Sequence, residues 1–150
     1  MPIQRLDHYS IRTTRLEDCR TFYVDIMGFE VGPRPPFKFP GLWLYNGGVA
    51  VVHIVGIDKN DPQGLVEYLG AKHLEDVEGT GTIDHIAFVA TGLSEMYARL
   101  KAHNTPYRER SVPNLGLHQI FLEDPNGVTI ELNYPAAEAP GREPNARASA

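Results

Sequence analysis

The strongest constraint on this chain is that it states one pattern twice. Leu6 to Ile11 alternates as a strand does, and Leu16, Cys19, Tyr23 and Ile26 then fall at helical spacing. Ile83 to Val89 again has the pattern of a strand, and Leu93, Met96 and Leu100 follow at the same helical spacing. The pairs His8 and His85, Leu16 and Leu93, Cys19 and Met96, and Tyr23 and Leu100 are each 77 residues apart. Both helices open on polar residues, Glu17-Asp18 and Ser94-Glu95, and both meet a stop signal, Gly28 in the first and Pro106 in the second.

Strand signals follow each helix. Trp43-Leu44-Tyr45 leads through Asn46-Gly47-Gly48 into Val49 to Val55, and Leu117 to Leu122 leads through Asp124-Pro125-Asn126-Gly127 into Val128 to Tyr134. Asn-Gly between apolar runs marks a hairpin. The pattern predicts an α+β fold of two repeated βαβββ modules with mainly antiparallel sheets. Neither module is long enough to bury a sheet face alone, so the sheets are expected to curve around a shared cleft. The expected layout is one domain over 1–135. Module one covers 4–56, a connecting loop covers 57–81 with a short helix near Leu65 to Leu69, and module two covers 82–135. A disordered tail is expected over 136–150. Gly32 to Gly41, with four prolines around Phe37 and Phe39, predicts a stiff, partly apolar loop.

Composition removes several function classes. A net charge of −5 without a Lys/Arg stripe offers no footprint for nucleic acid. Cys19 is the only cysteine, which excludes an intrachain disulfide and a multi-cysteine zinc site. No apolar run approaches the roughly 18 residues that span a bilayer, and the first residues lack a signal-peptide core, so the expected location is cytoplasmic, without a membrane partner.

The residues able to carry chemistry sit at repeat-related places. Asp7-His8 and Asp84-His85 occupy the same position in both copies. Glu131 lies in the last strand, where Val128, Ile130, Leu132 and Tyr134 face one way and Thr129, Glu131 and Asn133 the other. Two imidazoles and a carboxylate suit a divalent metal (Fe, Mn, Ni or Zn) and leave positions open for water, substrate or dioxygen. His53 is a fourth ligand or a catalytic neighbour. Aligning the turns at an offset of 79 places it opposite Leu132, and at 80 opposite Asn133, on the face of Glu131; the second alignment is preferred. Gln119 is placed to hydrogen-bond a substrate or water, with Phe121 as a further pocket residue, and His118 as a surface or supporting residue. His73 and His103 are expected to be solvated. Tyr9, Arg12, Arg34, Phe37, Phe39, Trp43, Arg108 and Arg110 are available to shape a pocket.

The doubled pattern, the Asp-His at the start of each copy, and Asp124-Pro125-Asn126-Gly127-Val128-Thr129-Ile130-Glu131-Leu132 together resemble the vicinal oxygen chelate superfamily. That group includes glyoxalase I, methylmalonyl-CoA epimerase, extradiol dioxygenases, and the fosfomycin and bleomycin resistance proteins. The likeness runs over about residues 4 to 135. It implies His8, His85 and Glu131 as metal ligands, and His53 as a fourth ligand or an acid–base residue, with Glu131 and His53 as the catalytic pair. It also implies a small substrate held through two neighbouring oxygens, with possible homodimers. Three functions are implied: a glyoxalase-like lyase or isomerase first, an Fe(II) or Mn(II) extradiol-type dioxygenase acting on a catecholic ring second, and metal-free drug binding third. Two departures bear on the choice. No Glu or Asp lies in Val49 to Val55, where glyoxalase I has its proton-carrying glutamate. Phe121 stands where extradiol enzymes have a tyrosine, and Ser111 to Gly116 contains no histidine.

Overall fold

The computed structural model describes residues 5–6, 8–69, 79, 83 and 85–141. The chain divides into two compact units, Met1–Val77 and Glu78–Ala150.

The first unit runs β1 (Tyr9–Thr13), α1 (Leu16–Arg20), β2 (Glu30–Gly32), β3 (Gly41–Asn46), β4 (Val49–Gly56) and α2 (Gln63–Leu69). α1 continues without a break as a π-helix over Thr21–Ile26, where Met27 N–H bonds to Phe22 C=O. The sheet order is β1-β4-β3-β2, with β1 parallel to β4 and the other pairs antiparallel. Leu44, Val52 and Ile54 of the sheet are fully buried, as are Cys19 and Tyr23 of the helix. Each such aliphatic side chain contributes about 1.5–3 kcal/mol of transfer free energy. β3 turns into β4 through Gly47 and Gly48, at φ 58° and 80°. A two-residue hairpin needs two left-handed positions in succession to match the strand twist, which glycine adopts without strain.

The second unit repeats this plan with β5 (Ile86–Val89), α3 (Leu93–Ala102), β6 (Arg108–Val112), β7 (Leu117–Glu123) and β8 (Thr129–Pro135). Its order is β5-β8-β7-β6, again with the first and last strands parallel. The expected α+β architecture with two four-stranded, mainly antiparallel sheets is therefore the observed one. The sequence located only two of the three strands after each helix. The remaining one is β2 in the first unit and β6 in the second, both edge strands. His8 and His85 stand one residue before β1 and β5 rather than inside them, identically in both units. α3 stops at His103-Asn104, with Asn104 left-handed at φ 51°, so an asparagine ends it ahead of Pro106.

The helix expected near Leu65 to Leu69 is α2, which buries Leu65 with Phe39, Val55 and Ile57. The rest of the connecting segment, 70–78 and 80–82, lies outside the described residues, as do Asp7, Asp84 and His73. Ala136–Glu138, placed in the tail by the sequence, forms a 3-10 turn. Its Glu138 carboxylate accepts the backbone N–H groups of Gly92 and Leu93 at 2.8 and 2.7 Å, at the start of α3. Residues 142–150 are outside the described set.

Candidate functional site

The strand ladders fix which residues of the two units correspond. In the first unit Tyr9 pairs with Val52 and Ser10 with His53; in the second, Ile86 pairs with Ile130 and Ala87 with Glu131. His53 is thus the counterpart of Glu131, at an offset of 78 rather than the 79 or 80 that the turns suggest. Two features explain the discrepancy. The β7–β8 connection is longer than Gly47-Gly48, and a bulge at Leu44/Tyr45 shifts the β3–β4 register. Trp43 pairs with His53 just as Phe121 pairs with Glu131. Each unit therefore carries one constellation: a histidine before the first strand, a titratable residue on the last strand, and an aromatic ring on the strand between.

In the second unit His85 Nε2 lies 3.3 Å from Glu131 Oε2. Glu131 is only 7% exposed, and its other oxygen, Oε1, accepts N–H bonds from Gln119 Nε2 at 2.9 Å and Asn133 Nδ2 at 2.8 Å. Gln119 also donates to Asn133 Oδ1 at 2.8 Å and accepts from Arg110 Nε at 2.6 Å. The carboxylate is thus held by one oxygen and presents the other to the imidazole. Two donors about 2.1 Å from one ion, at ligand angles of 90–109°, stand roughly 3.0–3.4 Å apart, which is the spacing seen here. Phe121 meets the His85 ring edge to face at 6.5 Å.

In the first unit His53 is layered between two rings. Trp43 stacks on it at 4.0 Å and 8°, and His8 at 3.8 Å and 16°. Imidazole lone pairs lie in the ring plane, and planes this close to parallel do not meet at a common ion about 2.1 Å away. In this arrangement one of the two histidines is able to ligate a metal and the other is its stacked neighbour. Among the described residues, no group of three or more His, Cys, Asp or Glu side chains is arranged so that it could hold a metal ion.

A second polar cluster lies on the opposite face of the β6–β7–β8 sheet, under α3. His118 is fully buried. Its Nδ1 meets Ser111 Oγ at 2.9 Å, and its Nε2 lies 3.2 Å from both Glu109 Oε2 and Tyr97 Oη, while Tyr97 donates to Glu109. This corrects the surface or supporting role expected for His118. The signal was available in the alternation Glu109, Ser111 and His118 across neighbouring strands, but it depends on placing β6. His103, by contrast, is exposed at the end of α3.

The family model of the glyoxalase/bleomycin resistance protein/dioxygenase superfamily matches residues 5–132. The chain belongs to that superfamily. It is 21% identical over 131 residues to YwbC of Bacillus subtilis (strain 168), covering 86% of this chain and 96% of that protein. Among solved structures it is similar to the fosfomycin resistance protein FosX of Listeria monocytogenes (TM-score 0.63, 19% identity, 91% of this chain and 97% of that one). It is also similar to lactoylglutathione lyase of Agrobacterium tumefaciens (TM-score 0.60, 21% identity, 95% and 100%). These likenesses establish the fold, and the superfamily includes both enzymes and non-enzymatic resistance proteins. No helix among the described residues is long and apolar enough to cross a membrane.

Proposed function

We propose that this protein is a divalent-metal-dependent enzyme of glyoxalase-like type, a lyase or isomerase, acting on a small molecule with adjacent oxygen atoms. His8, His85 and Glu131 hold the metal in this reading, and His53 is the acid–base residue beside it. The observation that carries the proposal is the bracing of Glu131, whose Oε1 takes two amide N–H bonds while Oε2 stands 3.3 Å from His85. A carboxylate serving only solvation has no need of that bracing. A solved FosX complex from Listeria monocytogenes that contains Mn(II) supports a metal in this fold.

When bound, the metal supplies Lewis-acid polarisation of the two chelated oxygens. The chain's residues do the rest. Gln119 and Asn133 fix the Glu131 carboxylate, so only Oε2 is offered as a ligand. Trp43 and His8 hold the His53 ring by both faces, which fixes the plane in which its nitrogens would take up or return a substrate proton. A buried glutamate that carries the proton in related lyases has no counterpart in Val49 to Val55, and His53 takes that role here.

The same stacking favours a second reading. A histidine that is not a ligand also suits an extradiol-type dioxygenase acting on a catechol with Fe(II) or Mn(II). Anaerobic Fe(II) loading followed by an oxygen electrode with catechols separates the two. Metal binding without oxygen uptake is expected, whereas catechol-dependent uptake would replace the lyase or isomerase reading with ring cleavage. Absence of metal binding by any of Fe, Mn, Ni and Zn would remove both and leave a drug-binding protein.

A further inference from the structure

We infer that the β6 strand carries an oxyanion-binding subsite, built by Arg108 and Arg110 around Phe121, so that the substrate bears a carboxylate, phosphate or similar anionic group. This rests on the proposed metal site for its place in catalysis, but its geometry stands within the second unit alone.

Arg108 and Arg110 alternate with the buried Glu109, so both project from the face of β6 that also carries Phe121 and Gln119 of β7 and Glu131 of β8. Their guanidinium carbons each lie 5.1 Å from the centroid of the Phe121 ring. Two like charges have been brought to one aromatic ring. An exposed edge strand gains from charge of either sign, but edge protection alone does not gather two cations over one ring. Among the described residues, neither guanidinium has a carboxylate within ion-pair distance. Arg110 uses Nε on Gln119, which leaves its terminal N–H groups for another acceptor. Planar N–H forks of this kind match oxyanions in bidentate fashion.

Beside Arg108 is a cavity of about 260 Å³, lined by Tyr107, Arg108, Phe121, Glu123 and Thr129 among others. Its volume suits a compact metabolite rather than a large drug. The Phe121 ring neighbours both groups, with the His85 ring at 6.5 Å and the two guanidinium carbons at 5.1 Å. A molecule chelated beside His85 and Glu131 would cross the Phe121 ring and place its anionic end at the arginines. Glu123 also lines the cavity and repels an anion there, so the guanidinium pair, rather than the cavity as a whole, sets the preference.

The test uses the full chain stripped of metal, with inorganic phosphate as the probe and ³¹P NMR line broadening as the readout. Arg108→Gln combined with Arg110→Gln is expected to weaken phosphate binding about tenfold or more. Arg99→Gln, which removes a half-buried arginine on α3 of the same unit, should leave it unchanged. Equal binding by wild type and the double variant, or an equal loss in Arg99→Gln, would overturn the subsite. Mn(II) affinity, measured separately by electron paramagnetic resonance, keeps the two ideas apart. Arg-dependent phosphate binding in a chain that takes up neither Mn(II) nor Fe, Ni or Zn would uphold the subsite and remove the metal reading. Mn(II) binding with Arg-independent phosphate binding would do the reverse.

Discussion

At the scale of single residues, Glu131 and His118 show two uses of buried polarity. Glu131 is braced from one side only, through Gln119 and Asn133 to a single oxygen. If Oε2 is the ligating atom, Gln119→Ala should weaken divalent-metal affinity by roughly tenfold without unfolding the protein, because a ligand that loses its orienting partner binds less well. Competition against a metal-chelating dye would check this. Unaltered affinity would mean that the bracing serves packing alone. His118 is enclosed by Ser111, Glu109 and Tyr97, so every nitrogen of the ring has a partner. Removing one member strands the others away from water. Glu109→Ala should therefore cost about 3 kcal/mol of stability in urea denaturation, whereas a surface glutamate such as Glu17 should cost under about 0.5 kcal/mol.

At the scale of elements, two features of α3 make separate predictions. Gly92 provides no side-chain cap, and Glu138, from the 3-10 turn after β8, fills the place by accepting two N–H bonds at the positive end of the helix. Glu138→Ala should cost about 1 kcal/mol in the same denaturation assay, and Glu138→Gln should restore part of it. Tyr134 of β8 has its phenol pKa pushed up to about 12, first by burial, then by Glu138 and Glu95, with Arg99 pulling the other way. A folded-state pKa above the unfolded value of about 10 means that stability is fully present below that pH and is lost as pH rises through about 12. Tyr134→Phe should remove that part of the alkaline slope in unfolding titrations, and an unchanged slope would contradict the assignment.

The same scale shows what the sequence made legible. First strands and helices kept one offset because each needs a fixed apolar stripe, and β8 kept strict alternation because one face is core. β6 escaped because Arg108-Glu109-Arg110 at a sheet edge gives no apolar signal, and with it went the partners of His118. The extension of α1 into a π-helix has no mark in Thr21 to Ile26. The face of His53 was read correctly but from the wrong turn alignment, since a loop-length difference and a bulge lie outside the hydrophobic pattern. His8, His85 and Glu131 were legible as candidates through repetition and alternation. The stacking of His53 between Trp43 and His8 depended on a cross-strand register that only the ladder supplies.

At the scale of the whole molecule, the duplicated βαβββ plan places one histidine, one titratable residue and one aromatic ring in corresponding positions of each unit, and the two copies have diverged in what they hold. The first has two stacked imidazoles beside Trp43; the second has an imidazole and a braced carboxylate beside Phe121. A metal bound only by the folded chain should also raise its stability, by about 2.7 kcal/mol at a free concentration one hundred times Kd. The most direct measurement is elemental analysis of protein purified without a histidine tag and reconstituted with Fe, Mn, Ni or Zn, for the native chain and for Glu131→Gln. The prediction is about one equivalent of a single divalent metal per native chain, with affinity lowered about tenfold or more in the variant. Less than about a tenth of an equivalent in the native chain, or equal affinity in the two, would contradict a metal centre built on Glu131.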